Sequence, residues 1–100
     1  MDYSVNSDRI YAAGYSNGGM MAYGLANYKS DLIAAVASVT GSMTNETYQN
    51  CNPSKEVPVL QIHGTDDPIV TYNGNSSIGS IGIESVLSYW KLNNYCAEPT

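Results

Sequence analysis

Arg9-Ile10-Tyr11-Ala12-Ala13-Gly14-Tyr15-Ser16-Asn17-Gly18-Gly19-Met20-Met21 is the stretch from which the fold can be read. Residues 9–14 are mostly apolar and end at glycine, which predicts a buried strand. From Asn17 to about Tyr28 the apolar residues Met21, Leu25 and Tyr28 recur at helical spacing, which predicts a helix. Between them Gly14-Tyr15-Ser16-Asn17-Gly18 has the form G-x-S-x-G in a strand-to-helix turn. Such a turn lifts its serine above the sheet in a strained backbone. Side chains two residues before and after it would meet neighbouring backbone, so glycine is expected at both, and Gly19 relieves the crowding further. Ser16 is then a candidate nucleophile. The N–H of Asn17, at the positive end of the helix, is a candidate donor to an oxyanion. Without chemistry, the same string is a glycine-rich turn before an ordinary helix.

Further strands and helices follow. Residues 32–39, Leu-Ile-Ala-Ala-Val-Ala-Ser-Val, form a continuous apolar run that suits a strand buried on both faces. Residues 41–58 are polar and contain Pro53, which predicts a loop. Residues 57–63 read as a third strand with Pro58 at its beginning. Residues 66–79 are rich in turn formers. A helix returns over about 81–93, where Ile83, Val86, Leu87 and Trp90 make a stripe that is most simply core. Strands joined by helical crossovers give an α/β architecture: parallel strands with flanking helices. Three strands leave two open edges, so an incomplete sheet is expected, part of a larger one.

Composition bounds what such a chain can do. Hydrophobic residues make up 43% of the 100 and charged ones 13%, which supports a core and argues against disorder. The net charge of -5, with Arg9, Lys29, Lys55 and Lys91 scattered, disfavours nucleic acid and anionic membrane as partners. No apolar run reaches the roughly 20 residues of a membrane span. The first residues show neither the basic nor the apolar region of a signal peptide. Neither a GxGxxG string nor a P-loop occurs, so nucleotide binding has no support. Asn45-Glu46-Thr47 and Asn75-Ser76-Ser77 fit the glycosylation pattern, which chance also produces. Cys51 in a polar loop and Cys96 after the last helix suit a disulfide in an oxidising compartment; the alternative is two unpaired thiols.

A serine nucleophile needs a base, usually histidine, oriented by a carboxylate. His63-Gly64-Thr65-Asp66-Asp67-Pro68 follows the third strand and offers both residue types. Asp67 precedes proline, which favours extended backbone; Asp66 could instead stabilise the turn. His63 is the only histidine. Lying four residues before Asp67 and at the strand end, it fits a place in the cleft wall, toward substrate or the aspartate loop, better than the role of base. A metal site built from His63, Asp66 and Asp67 is disfavoured, since local acid clusters are usually turns.

Arg9-Ile10-Tyr11, Gly14-Tyr15-Ser16-Asn17-Gly18-Gly19-Met20-Met21 and His63-Gly64-Thr65-Asp66-Asp67-Pro68-Ile69-Val70 together resemble the polyhydroxybutyrate depolymerase-type esterases, a group that also holds feruloyl and acetylxylan esterases. Trp90 and Asn94-Tyr95-Cys96 fit as well, so the resemblance covers nearly the whole chain. Thr71 departs from the family's usual proline after the Asp-Pro-x-Val turn. The resemblance implies a partial α/β-hydrolase fold, with Ser16 as nucleophile and Asp67, not Asp66, as acid. It implies a frequent disulfide at the places of Cys51 and Cys96, secretion, no cofactor, and an ester substrate from a polymer or plant cell wall. The family's order is nucleophile, acid, histidine. Its catalytic histidine and second oxyanion donor are therefore expected outside these 100 residues, which read as one fragment of a catalytic domain. Two other readings share these features: a non-catalytic polysaccharide- or polymer-binding module with a decayed hydrolase fold, and a serine peptidase of the prolyl oligopeptidase type.

Overall fold

The computed structural model describes residues 4–96. Three parallel strands lie side by side in chain order: β1 (Tyr11–Tyr15), β2 (Ala35–Val39) and β3 (Val59–Ile62). Helix α1 (Asn17–Tyr28) joins β1 to β2, α2 (Asn45–Gln49) lies between β2 and β3, and α3 (Ile83–Asn93) follows the long loop. The architecture is thus α/β with a parallel, unclosed sheet.

The strands pair so that Ala12, Val36 and Val59 form one row across the sheet and Gly14, Ser38 and Gln61 the next. On this side α1 and α3 bury a single core of Ala22, Tyr23, Ala26, Ile33, Val36, Met43, Val57, Val86 and Trp90. The Tyr23 ring stacks on Trp90 at 6.3 Å, joining the two helices over the sheet. Of the α3 stripe, Ile83, Val86 and Trp90 are buried, and Leu87 is half-buried. Glu84 in its first turn and Lys91 in its last complement the helix dipole.

The structure departs from the sequence reading in several places. Strand β1, expected to be buried, exposes Tyr11 and Tyr15. Strand β2 is not buried on both faces. Tyr11, Tyr15, Leu60 and Ile62 are exposed on the outer strands. They share the uncovered side with Ala13, Ala35, Ala37 and Val39. Helix α1 does not bury Met21 or Tyr28, both exposed; it buries Gly19, Ala22, Tyr23, Ala26 and Asn27. Small side chains let this helix lie close to the sheet: a Cβ on Gly19 would stand 2.3 Å from Ser38 Oγ. Finally, residues 41–58 are not all loop. Thr44 caps α2 by accepting from the Thr47 N–H at 3.2 Å.

Two asparagines anchor the ends of these elements. Asn94 Oδ1 accepts from the Val57 N–H at 3.0 Å and its Nδ2 donates to the Val57 carbonyl at 2.8 Å. Asn27 likewise accepts from the Asn52 N–H and donates to the Asn50 carbonyl.

The expected disulfide is absent, and both cysteines are free. Cys51 is half-buried, packs against the core and hydrogen-bonds Tyr89, whereas Cys96 is exposed beyond α3. Each thiol has its own surroundings, so the chain is held by the core and the asparagine bonds.

Candidate active site

All three strands run in one direction, so their carboxyl ends lie on one edge, where open parallel sheets carry their ligands. Ser16 follows β1, Thr40 follows β2, and the loop from His63 follows β3. Two main-chain bonds extend the ladder past the strands and fix this alignment. The Ser16 N–H donates to the Val39 carbonyl at 2.8 Å, and the Thr40 N–H to the Ile62 carbonyl at 2.7 Å.

Ser16 has φ 56° and ψ -110°, outside the ordinary regions for a side-chain-bearing residue. Strain of this kind gathers at functional sites. Ser16 stands at the N-cap of α1, yet its side chain makes no capping hydrogen bond. A capping serine normally spends its hydroxyl on an amide of the first turn; here Oγ is uncommitted, and the residue is half-buried. Asn17 begins the helix, so its amide lies beside that hydroxyl at the positive helix end.

Glycines make the turn possible, though not as symmetrically as the motif implies. A Cβ on Gly14 would stand 2.0 Å from the carbonyl carbon of Gly18, while one on Gly18 would meet nothing within 4 Å. Gly41 is equally confined: its Cβ would stand 2.6 Å from the Ser16 carbonyl oxygen and 2.8 Å from the Gly19 Cα. Gly41 thus belongs to the elbow, although it lies beyond β2. Thr40 before it has φ 55°, a rare conformation for a β-branched residue.

At the end of β3 the two acids part. Asp66 is exposed. Asp67 is half-buried, and its Oδ1 accepts from the Ile69 and Val70 N–H groups at 2.9 and 3.0 Å. Oδ2 lies 3.7 Å from His63 Nε2, beyond hydrogen-bonding range. His63 itself has a side chain only 2% exposed, so it presents almost no surface to a substrate. Its Nε2 is 2.5 Å from the Val70 carbonyl and its Nδ1 is 3.1 Å from Gln61 Nε2. Both ring nitrogens of His63 are thus engaged within the protein, by Gln61 and the Val70 carbonyl.

The sequence reading overlooked Gln61. A polar residue on the covered side of an apolar strand is a legible signal, because its hydrogen bonds must be met inside. They are met by Tyr23, whose hydroxyl donates to Oε1 at 2.5 Å, and by the Gly41 carbonyl, 2.7 Å from Nε2. An open groove of about 520 Å³ begins at Asn17 and follows α1 past Met20, Met21, Leu25 and Tyr28. No helix among the described residues is long and apolar enough to cross a membrane.

A strained serine in a strand-to-helix elbow at the carboxyl edge of a parallel sheet is the arrangement of the α/β-hydrolases. Residues 1–91 match the family described as Phospholipase/Carboxylesterase, and the chain belongs to that family. It is similar to NocK of Nocardia uniformis subsp. tsuyamanensis, which carries the name of an esterase, with 41% identity across 73% of this chain. It is 35% identical to feruloyl esterase B of Piromyces equi across 95% of its length. A third relative is the bifunctional acetylxylan esterase/xylanase XynS20E of Neocallimastix patriciarum, 30% identical across 71% of the chain. The chain spans 21%, 20% and 10% of the lengths of these three relatives.

Proposed function

We propose that the chain is the nucleophile-and-acid portion of a serine carboxylesterase. The observation that carries this reading is the uncommitted hydroxyl of Ser16, held at φ 56° beside the first amide of α1. Ser16 Oγ attacks the ester carbonyl while a histidine from outside these residues takes its proton. The oxyanion accepts from the Asn17 N–H. Collapse expels the alcohol, protonated by that histidine, and water then releases the acid from the acyl-enzyme. Asp67 is the acid of the triad: two amides hold Oδ1, and Oδ2 is left to orient the histidine.

The substrate class is an ester of a plant cell-wall polymer. Two relatives named for feruloyl and acetylxylan esters support this over a bacterial polyester. The apolar groove beside Asn17 has room for an aromatic acyl group. Such a substrate lies outside cells, so the full-length protein is placed there too.

The test is hydrolysis of p-nitrophenyl acetate and methyl ferulate by the full-length protein and its Ser16→Ala variant. Turnover that falls by about 10⁴-fold or more in the variant is expected. Turnover that survives would sink the reading. The 100-residue chain alone is expected to show no significant turnover, for want of the base.

A further inference from the structure

Each polar atom of the Gln61–His63 pair has an assignable partner. A carbonyl can only accept, so His63 Nε2, 2.5 Å from the Val70 oxygen, carries the hydrogen. Nδ1 is then the acceptor, and Gln61 Nε2 donates to it at 3.1 Å. The same amide nitrogen faces the Gly41 carbonyl at 2.7 Å, and Oε1 accepts from Tyr23. These contacts agree on one orientation of the amide and one tautomer of the ring.

The chain of bonds has a direction. It starts on Tyr23, in the helix that begins beside Ser16. It passes Gly41, which abuts the Ser16 carbonyl, and crosses β3 through Gln61. It ends on Val70, whose main chain is engaged on both sides: the carbonyl accepts from His63, and the N–H donates to Asp67 Oδ1. The Val70 side chain is buried and Tyr72 meets the His63 ring edge-on, so the loop is also packed in place.

We infer that His63 is a positioning residue for the acid. By fixing Val70 it sets where Asp67 stands relative to the elbow, and it touches neither substrate nor nucleophile. This rests on the reading of Ser16 and Asp67 above. A misplacement of about 1 Å in such a group costs on the order of 100-fold in rate.

The test uses the full-length protein and a pair of polar variants. His63→Gln keeps a donor near the position of Nε2, whereas His63→Asn is too short to reach Val70. H63N should lower kcat by about 10- to 100-fold with KM changed less than about 2-fold, and H63Q should recover kcat to within about 3-fold of the parent. On an Asp67→Asn background, H63N should change the residual rate by less than about 2-fold, because its effect travels through Asp67. Should H63N fail to fold, Gln61→Met takes its place: it strips Nδ1 of its donor, and its loss of kcat must likewise vanish on D67N. An unaltered kcat in H63N, equal losses in H63N and H63Q, or a loss repeated in full on D67N would overturn the inference alone. Activity that survives both S16A and D67N would overturn the esterase reading and this inference with it.

Discussion

A Cβ on Gly14 would lie 2.0 Å from the carbonyl carbon of Gly18, so the last turn of β1 and the first turn of α1 touch through backbone alone. This contact lets the chain pass from strand to helix within one residue, at Ser16. The two glycines of the motif are nevertheless unequal. Gly14→Ala should abolish activity and destabilise the protein by at least about 1–3 kcal/mol, since backbone has to move. Gly18→Ala has open space and gains about 1 kcal/mol of helix propensity. It should leave the melting temperature equal or higher and the fold unchanged by circular dichroism.

Tyr23 donates from a buried site to Gln61, and burial pushes its hydroxyl pKa well above the ordinary tyrosine range. Tyr23→Phe leaves Oε1 of Gln61 without that donor and should cost about 1–3 kcal/mol in chemical denaturation. A pKa raised by folding favours the protonated form in the native state. The associated stability is fully present below the unfolded tyrosine value, near 10, and is lost as pH rises beyond it. Denaturation midpoints measured across alkaline pH should therefore fall less steeply in Y23F than in the parent.

The cysteines should behave as two independent thiols. Burial pushes the Cys51 thiol up, only partly offset by its hydrogen bond with Tyr89, whereas Cys96 is exposed. At pH 8, Ellman's reagent should titrate Cys96 at least about 10-fold faster than Cys51. A single slow phase, or none until reductant is added, would contradict this assignment.

Asn94 bonds both the N–H and the carbonyl of the buried Val57, acting as a short substitute for a neighbouring strand. Asn94→Ala leaves both groups unpaired and should lower stability by about 1–3 kcal/mol. Asn94→Asp keeps the acceptor but turns a carboxylate oxygen toward the Val57 carbonyl, so it should not recover the parent's stability. Thermal melts of the three proteins check the order.

Residues 17–28 form a helix as their spacing implies, yet its buried face had to be seen. Counting large apolar residues selects Met21, Leu25 and Tyr28. The sheet instead accepts Gly19, Ala22 and Ala26, because close approach matters more there than apolar area. The apolar run 32–39 begins as strand only at Ala35, since Leu32 still closes a turn onto Lys29. Composition does not separate a turn residue from a strand residue when both are apolar. At the site, the types and order of Ser16, Asn17 and Asp67 are legible because a motif carries them. The parts played by Gly41, Gln61 and Tyr23 depend on contacts between residues 20 to 40 positions apart, which spacing does not encode. The unpaired state of Cys51 and Cys96 depends on geometry in the same way.

The bare side of the sheet gives a protein engineer room to work. Tyr11, Tyr15, Leu60 and Ile62 alternate along their strands with the residues that build the elbow and the Gln61 network, so they project to the opposite side. Threonine or lysine at these positions would make this chain easier to keep in solution at concentrations suited to spectroscopy. Ser16, Gln61 and Asp67 would keep their present neighbours. Solution behaviour and the surroundings of Ser16 can be tuned separately in this chain, because a strand shows alternate residues to its two sides.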